Sequence, residues 1–239
     1  DPETRLPIII QSLDDTHFEI RIPPALTFPT ANDIQRILKG AGVLEFRILP
    51  TEGHPDVDMA AMNGYIERLE EKGPEQASDE QYIWCEIENS DQWRSVDAQN
   101  RPTIIAQFEE KHFVLASNKL NEVILITPGK DTWTLKKAYP THDESGRCSI
   151  GFIMDNTGGK LMQDVTGNNI GRPLCILLDG IALSAPCIEG RIPGRGRITG
   201  SFTNTEVEDI INKLNAGCLP ARLIEKPIEV KTIGANVGS

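Results

Sequence analysis

The sequence has 239 residues, 39% of them hydrophobic and 25% charged, which predicts a folded chain with a substantial core rather than a disordered one. Its formal net charge of −11 argues against a general nucleic-acid binder, because such proteins concentrate cations to displace phosphate counterions. The charge is uneven: residues 1–127 carry 11 Lys and Arg against 23 Asp and Glu, whereas 128–239 carry 13 against 12. Such a step is typical of a change of module, although a solvated acidic face would produce it equally well.

Hydrophobic periodicity predicts a mixture of strands and helices in the first half of the chain. The predicted strands cover 6–11, 17–22, 43–49, 82–88, 103–109, 112–117 and 122–127. The predicted helices lie near 31–39 and 57–72, and Gly73-Pro74 ends the second one. The turn signal that begins at Pro128-Gly129 marks the expected module boundary.

The second half predicts another set of mixed elements. A strand over 149–155 is followed by a helix near 158–166, with Leu161, Met162 and Val165 facing inward. A Gly-rich turn, GRIPGRGR, then leads into a strand. The next helix begins with a capping box formed by Thr203 and Glu206, its apolar face holds Val207, Ile210, Ile211 and Leu214, and Gly217 closes it. Residues 219–234 predict one or two closing strands.

The stretch CILLDGIALSAP at 175–186 allows two interpretations, the metal-binding strand of a nucleotide hydrolase or a tight hairpin. A hydrolase of that kind requires a phosphate-binding loop. The nearest candidate, TGGKL at 157–161, has Met154 where the motif needs Gly and Leu161 where it needs Ser or Thr. Asp179-Gly180 between two apolar runs instead predicts a hairpin, because its turn requires positive φ at both central residues.

The remaining residues do not form a recognisable catalytic or metal motif. The four histidines are widely spaced, and HPDVD at 54–58 is interpreted as a loop followed by a helix cap. Ser184 lacks the context of a nucleophile elbow. We therefore predict no catalytic residue, no metal site and no cofactor. The five cysteines lack a CxxC spacing and are interpreted as buried free thiols: Cys85, Cys148, Cys175, Cys187 and Cys218. The alternative is a structural disulfide, whose pairing the sequence does not give.

The most basic stretch of the chain is GRIPGRGR, which contains Arg191, Arg195 and Arg197. It could contact lipid phosphate or acidic partner segments, but we interpret it as a solvated turn. Elsewhere, no apolar run approaches the roughly 18–20 residues needed to span a bilayer. Since the chain starts with DPETRLP, without Met, we expect a soluble piece of a longer protein.

Several motifs occur together in the order found in the large extracytoplasmic domain of SecD, a subunit of the SecDF protein-export machinery, which the chain resembles. They are Phe152 to Asp155, Val165-Thr166 to Leu174, Leu178-Asp179-Gly180, Ser184-Ala185-Pro186, Ile198 to Thr203 and Ala216 to Leu223, with IQRILKGAGVLEFRIL upstream. The resemblance is strong over 128–234, fair over 31–49 and weak over 51–127. The sequence departs from the family at Ala235, where a Pro is usual, and at Cys175, Cys187 and Cys218.

The resemblance implies an α+β fold in which a head subdomain is inserted into a ferredoxin-like base. The base would take 1–127 and 219–239, with 51–127 partly an elaboration that is atypical of the family, and the head would take 128–218. The same resemblance implies hinges where the chain crosses between the two. We place these hinges at Gly129, Gly217 and Pro220.

The function implied is non-enzymatic. A SecD-like domain on the extracytoplasmic, periplasmic side of the membrane would bind emerging unfolded preprotein, and head movement would assist late-stage translocation driven by the proton gradient. SecF, the SecYEG channel and the membrane would be reached through parts of the protein outside this chain. The residues that contact preprotein are not assigned. The alternatives are a static scaffold that docks other export subunits, or a hydrolase using Cys148 or Ser184.

Overall fold

The computed structural model describes residues 9–12, 18–21, 43–93, 95–125 and 133–215. Backbone contacts divide the chain into one compact unit of 41–221 and another of 1–40 with 222–239. In the latter, strands β1 (Ile9–Ser12) and β2 (Phe18–Arg21) confirm the two predicted strands, and they pair with each other antiparallel. The helix predicted near 31–39 and the strands predicted over 219–234 lie outside the described residues.

Within the described residues, the larger unit combines two sheets with three α-helices and a short 3-10 helix, Ser90–Gln92, which confirms the α+β class. Its strands are β3 (Leu44–Ile48), β4 (Tyr82–Ile87), β5 (Ile105–Phe108), β6 (Lys111–Ser117), β7 (Val123–Ile124), β8 (Leu135–His142), β9 (Cys148–Met154), β10 (Leu174–Leu178), β11 (Ile181–Ser184) and β12 (Arg195–Thr199). Its helices are α1 (Met59–Gln76), α2 (Asn156–Asn168) and α3 (Asn204–Asn215). Among the described residues, no helix is long and apolar enough to cross a membrane.

The seven-stranded sheet has the order β5-β6-β4-β11-β10-β3-β7. Only the β11–β4 pair is parallel. The hairpin β10–β11 lies in the middle of this sheet, so a segment from 174–184 completes a sheet whose other strands come from 44–124. Within the described residues, the two sides of the predicted boundary at 128 therefore share one sheet. The boundary residues themselves are outside the description, and the division into base and head stays a prediction.

The core also joins the two sides of that boundary. Phe46 of β3 lies with its ring centroid 5.5 Å from that of Phe152 on β9 and 6.3 Å from that of Trp133. Burial of each such aromatic side chain contributes on the order of 2 kcal/mol to stability, so contacts across the predicted boundary hold the core together. Ile124 on β7 belongs to the same cluster.

The three-stranded sheet has the order β12-β9-β8, and both of its outer strands are antiparallel to β9. Successive residues of a strand point to opposite faces. Ile150, Phe152 and Met154 of β9 point inward, where they pack with residues of α2 and α3. The opposite face is formed by the alternate residues of the same strands and is described below.

The three helices begin largely where their caps predict. The Asp58 side chain accepts hydrogen bonds from the N–H groups of Ala60 and Ala61, which confirms the interpretation of HPDVD as a loop and cap. Helix α1 runs to Gln76, four residues beyond the predicted end. Gly73 adopts φ +77° there, which kinks the helix, and the chain resumes a helical path at Pro74. This is consistent with proline being tolerated at the first turn of a helix, where its missing N–H has no partner.

Helix α3 has the predicted capping box: Glu206 Oε2 accepts from the Thr203 N–H at 2.7 Å, and Thr203 Oγ1 accepts from the Glu206 N–H at 3.3 Å. One prediction for α2 is wrong, because Leu161 is 37% exposed. The buried face of α2 is centred on Met162, with Gly158 on one side and Val165 and Thr166 on the other. Leu161 lies about 100° from Met162 around the helix, so it falls outside that face.

Candidate functional site

The hairpin that the sequence predicts is present. Asp179 and Gly180 have φ values of +55° and +77°, as a turn with two left-handed central residues requires. The tip is also fastened to the start of β3, because the Val43 N–H donates to Asp179 Oδ1 and the Asp179 N–H donates to the Val43 carbonyl, both at 2.9 Å. Asp179, at the tip of this motif, therefore fastens the hairpin to β3, which is a structural role.

A second set of motif residues joins α2 to the loops around it. Thr166 Oγ1 accepts from the Ile192 N–H at 3.0 Å, and Asn169 Nδ2 donates to the Val165 carbonyl at 2.8 Å. Arg172 donates to Asn169 Oδ1 at 2.8 Å and to Glu122 Oε1 at 2.7 Å. Burial raises the pKa of Glu122, but hydrogen bonds from Ser117 and Arg172 outweigh it and hold that pKa below its ordinary value. These residues have a structural role.

Cys148 and Ser184, the two residues considered for a hydrolase, lie on different sheets of the described structure. Burial raises the pKa of the Cys175 thiol well above its usual range, and Cys85 nearby adds to the shift. Burial, together with Asp97 and Glu189, also raises the pKa of Cys187. Cys148 contacts Asn204 Oδ1 at 2.9 Å, and Ser184 ends strand β11. In the part of the chain that the structure describes, no three His, Cys, Asp or Glu side chains are arranged to hold a metal ion.

Three sequence-predicted site residues, the hinges at Gly129, Gly217 and Pro220, lie outside the described residues, as does Cys218. The structure instead draws attention to a feature that sequence reasoning left unassigned, namely the two edges of the three-stranded sheet. An edge strand presents backbone N–H and C=O groups that can pair with another chain.

The β8 edge of this sheet is closed. The side-chain amide of Asn215, at the end of α3, donates to the Ala138 carbonyl at 2.9 Å and accepts from the Ala138 N–H at 2.8 Å, as a neighbouring strand would. Pro140, the next residue along β8 whose backbone points outward, has no N–H at all. Both devices are known means of blunting an edge strand.

The β12 edge is open within the described residues. The Met154 N–H donates to the Gly194 carbonyl at 2.8 Å, and because hydrogen-bonded pairs alternate along an antiparallel ladder, Gly196 and Ile198 also direct their backbone groups toward β9. The backbone groups of Arg195, Arg197 and Thr199 therefore point away from the sheet. They make no hydrogen bond with any described residue.

The outer face next to this edge carries three exposed cations, Lys137, Arg195 and Arg197, around Tyr139; we call these four residues the cationic face. The strand registers place Lys137 and Arg195 on either side of Ile153, and Tyr139 and Arg197 on either side of Gly151. The Tyr139 ring occupies the space that a side chain at Gly151 would fill. Sequence analysis interpreted GRIPGRGR as a solvated turn, but Arg195 and Arg197 belong to a strand.

The cations of this face are not neutralised by any carboxylate among the described residues. Lys137 Nζ lies 5.8 Å from the centroid of the Tyr139 ring, and Arg197 donates to the His142 carbonyl at 3.0 Å. None of the three cations forms an ion pair with a described carboxylate. The face can therefore accept negative charge from outside the chain.

A shorter open edge lies on the seven-stranded sheet. The Leu115 N–H donates to the Ile104 carbonyl at 3.0 Å, so the alternate residues Ile105 and Gln107 of β5 direct their backbone groups outward. Ile105 is 41% exposed. This edge ends at the turn formed by Glu109 and Glu110, and it therefore has acidic rather than basic surroundings.

Comparison with protein families gives the affiliation of the chain. Residues 99–221, just over half of it, match the family described as SecDF, P1 head subdomain. The chain belongs to this SecDF family. The motifs of the hairpin and of α2 lie within the matched residues. The family match begins at residue 99, upstream of the predicted boundary at 128.

Curated SecD proteins match about half of the chain. The protein translocase subunit SecD of Sebaldella termitidis is 36% identical over 110 residues, which cover 46% of this chain and 27% of that protein. SecD of Rickettsia conorii is 42% identical over 106 residues, which cover 44% of this chain and 20% of that protein. SecD of Rhodobacter capsulatus is 39% identical over 121 residues, which cover 50% of this chain and 21% of that protein. The aligned part thus spans about a fifth to a quarter of these relatives.

Two solved structures of SecDF are also similar. One, of the membrane component SecDF that enhances protein export, matches with a TM-score of 0.43 and 23% identity over 95% of this chain and 84% of that one. The other, SecDF in a super-membrane-facing form, matches with a TM-score of 0.41 and 22% identity over 89% of this chain and 24% of that one.

Proposed function

We propose that this SecD domain binds emerging unfolded preprotein on the extracytoplasmic side of the membrane and assists late-stage translocation through movement of its head. The observation that carries the binding step is the open edge of β12. Strand addition uses main-chain groups that every polypeptide has, so it suits a client of any sequence that is still extended. It disfavours folded clients, because most of their backbone N–H and C=O groups are already paired.

The chain has no catalytic role in this proposal. The energy for translocation would come from the proton gradient, used by membrane segments outside this chain. The partners would be unfolded preprotein and, through the remainder of the protein, SecF and the SecYEG channel. The base would comprise 1–127 with 219–239 and the head 128–218, with hinges at Gly129, Gly217 and Pro220.

Binding can be tested with one client in two states. A small disulfide-bonded protein is compared in its native form and after reduction and blocking with iodoacetamide, which adds no charge. We expect fluorescence anisotropy to detect weak binding of the unfolded form, with a Kd on the order of micromolar or weaker, as for transient encounters. Equal binding of the native form, or no binding of the unfolded one, would contradict the proposal.

Head movement is tested in the full-length protein, with export of a preprotein by membrane vesicles under a proton gradient. The combined substitutions Gly129→Pro and Gly217→Pro fix the backbone at both proposed hinges. Glu144→Pro serves as the control, since proline suits the second position of the exposed turn that begins at Asp143. We expect the hinge variant to export several-fold less than the control. A static scaffold would tolerate both.

A further inference from the structure

We propose that the β12 edge selects extended segments that carry carboxylates on alternate residues, and that the cationic face recognises them. This inference rests on the proposed function, since it specifies the clients of the same binding step. The occupant would be an acidic, extended segment of polypeptide that adds to β12 as a fourth strand of the three-stranded sheet.

The backbone of β12 supplies the first part of the site. Arg195, Arg197 and Thr199 each offer an outward N–H and C=O, spaced two residues apart. Since a strand rises about 3.3 Å per residue, these groups match every second residue of an added strand. A segment of about five residues is long enough to pair with all of them.

The side chains of β12 supply the second part. Residues directly opposite each other on paired strands share a face. The client residues opposite Arg195 and Arg197 would therefore point to the cationic face, two residues apart. Carboxylates at those two positions would meet guanidinium groups, with which they form charge-assisted hydrogen bonds. Lys137, which flanks Ile153 from the other side, adds a third cation to the same face.

Charge complementarity distinguishes this edge from the others. No described carboxylate pairs with the cationic face, although the chain as a whole carries −11. The nearest acidic turn, at Asp143, is already paired with Arg147 at 2.7 Å. The β8 edge is closed by Asn215, and the β5 edge ends in Glu109 and Glu110. An acidic strand is therefore favoured at β12 and disfavoured at β5.

The test uses the 239-residue chain and three short peptides of equal length, in which Thr alternates with Glu, Gln or Lys. The first variant, Thr199→Pro, removes an outward N–H that no described residue uses. Its matched control is Gln107→Pro, which makes the same change on the β5 edge. The second variant combines Arg195→Ala with Arg197→Ala. Its control combines Lys72→Ala with Lys160→Ala, which removes the same charge from exposed helix positions.

We expect the Glu peptide to bind the wild-type chain more tightly than the Gln peptide and the Lys peptide least tightly. Thr199→Pro and the double Arg variant should each weaken binding of the Glu peptide tenfold or more, while both controls leave its affinity unchanged. Circular dichroism establishes that each variant is folded. If Gln107→Pro, rather than Thr199→Pro, weakens binding of the Glu peptide, the assignment of the site to β12 is overturned.

Further outcomes separate this inference from the proposed function. If the unfolded client binds the wild-type chain and the Thr199→Pro variant equally, the β12 site is wrong and preprotein binding stands. If neither the client nor any peptide binds, the proposed function fails. Vesicles containing phosphatidylglycerol are the last comparison. Binding to them that depends on Arg195 and Arg197, without binding of the Glu peptide, would overturn the peptide site in favour of a lipid surface.

Discussion

Both edge strands of the three-stranded sheet direct backbone N–H and C=O groups outward, but only the groups of β8 are paired or removed within the described residues. On β8, the outward groups of Ala138 are paired by the side chain of Asn215, and Pro140 has no N–H to pair. On β12, the outward groups of Arg195, Arg197 and Thr199 have no partner among the described residues. The exposed cations on β12 hinder pairing between copies of the chain, since like charges repel. They do not hinder an acidic strand, so β12 differs from β8 in leaving its backbone groups available to the kind of strand that we propose.

Removing the closure of β8 should have the largest effect on stability. Asn215→Ala deletes two hydrogen bonds and leaves the Ala138 N–H and C=O without protein partners, so we expect the free energy of unfolding to fall by about 1–3 kcal/mol. Urea denaturation measures this. Asn212→Ala, at an exposed position of the same helix, is the control and should change stability by less than about 0.5 kcal/mol. Equal effects of the two substitutions would mean that Asn215 does not close the edge.

Acidification should weaken binding of the Glu peptide to the open β12 edge. The Glu side chains of a client lose their charge as the pH falls through their usual pKa of about 4.3. The cations of β12 keep theirs, so binding of the Glu peptide should fall several-fold between pH 7 and pH 4, while the Gln peptide is unaffected. Titration of both peptides by anisotropy measures this, and a parallel loss for the Gln peptide would point to a change in the protein itself.

The fold limits the pH range of that experiment. Burial raises the pKa of Asp97, but hydrogen bonds from Arg101 and Thr51 outweigh it and lower the pKa to about 2. A depressed pKa stabilises the folded state above the unfolded value of 3.8, and this contribution is lost as the pH falls from there toward 2. Above pH 4 most of it remains. Circular dichroism across the titration should therefore stay constant.

Added salt should weaken binding of the Glu peptide less than acidification does. Raising the ionic strength from about 0.05 M to 0.5 M shortens the Debye length from over 10 Å to about 4 Å, which screens exposed charges such as Arg195. We expect a few-fold weaker binding of the Glu peptide and little change for the Gln peptide. If both peptides respond equally, the cationic face contributes no selectivity, and the open backbone alone accounts for binding.

The smallest effect is expected from Pro140→Val. Valine restores an outward N–H on β8 and is favoured in strands, so stability should change by less than about 0.5 kcal/mol. With Asn215 still in place, only part of the edge reopens. The expected result is a slight increase in self-association by analytical ultracentrifugation. Strong self-association would show that Pro140, rather than Asn215, is the main closure of β8.

Local elements were largely predictable from the sequence. The strand 43–49, the Asp179-Gly180 hairpin and the Thr203–Glu206 box all depend on residues that lie within a few positions of each other, and all three are present. Leu161 was misplaced because the inner face of α2 is set by what packs on it: Gly159 lies against Pro193 and Gly194, a contact that periodicity alone does not contain.

The site was less predictable. The basic character of GRIPGRGR was visible, but alternation with Gly196 and Ile198 was the only sign that Arg195 and Arg197 belong to a strand with one side exposed. Asn215 near a helix end resembles an ordinary capping residue, and its pairing with Ala138 spans 77 residues. The place of β10–β11 between β3 and β4 also depends on partners far apart in the chain.

The sequence by itself determined the α+β class, the turns and caps, and the family. The elements, turns and caps depend on residues only a few positions apart, and the family is indicated by motifs that occur in a fixed order. Only the tertiary structure decided which strand edges are covered and which are open. Coverage of an edge depends on where distant segments come to rest, since backbone hydrogen-bonding groups are the same in every residue but proline. The side chain of Asn215 closes β8 and no described residue closes β12, and that difference arises only when the chain has folded.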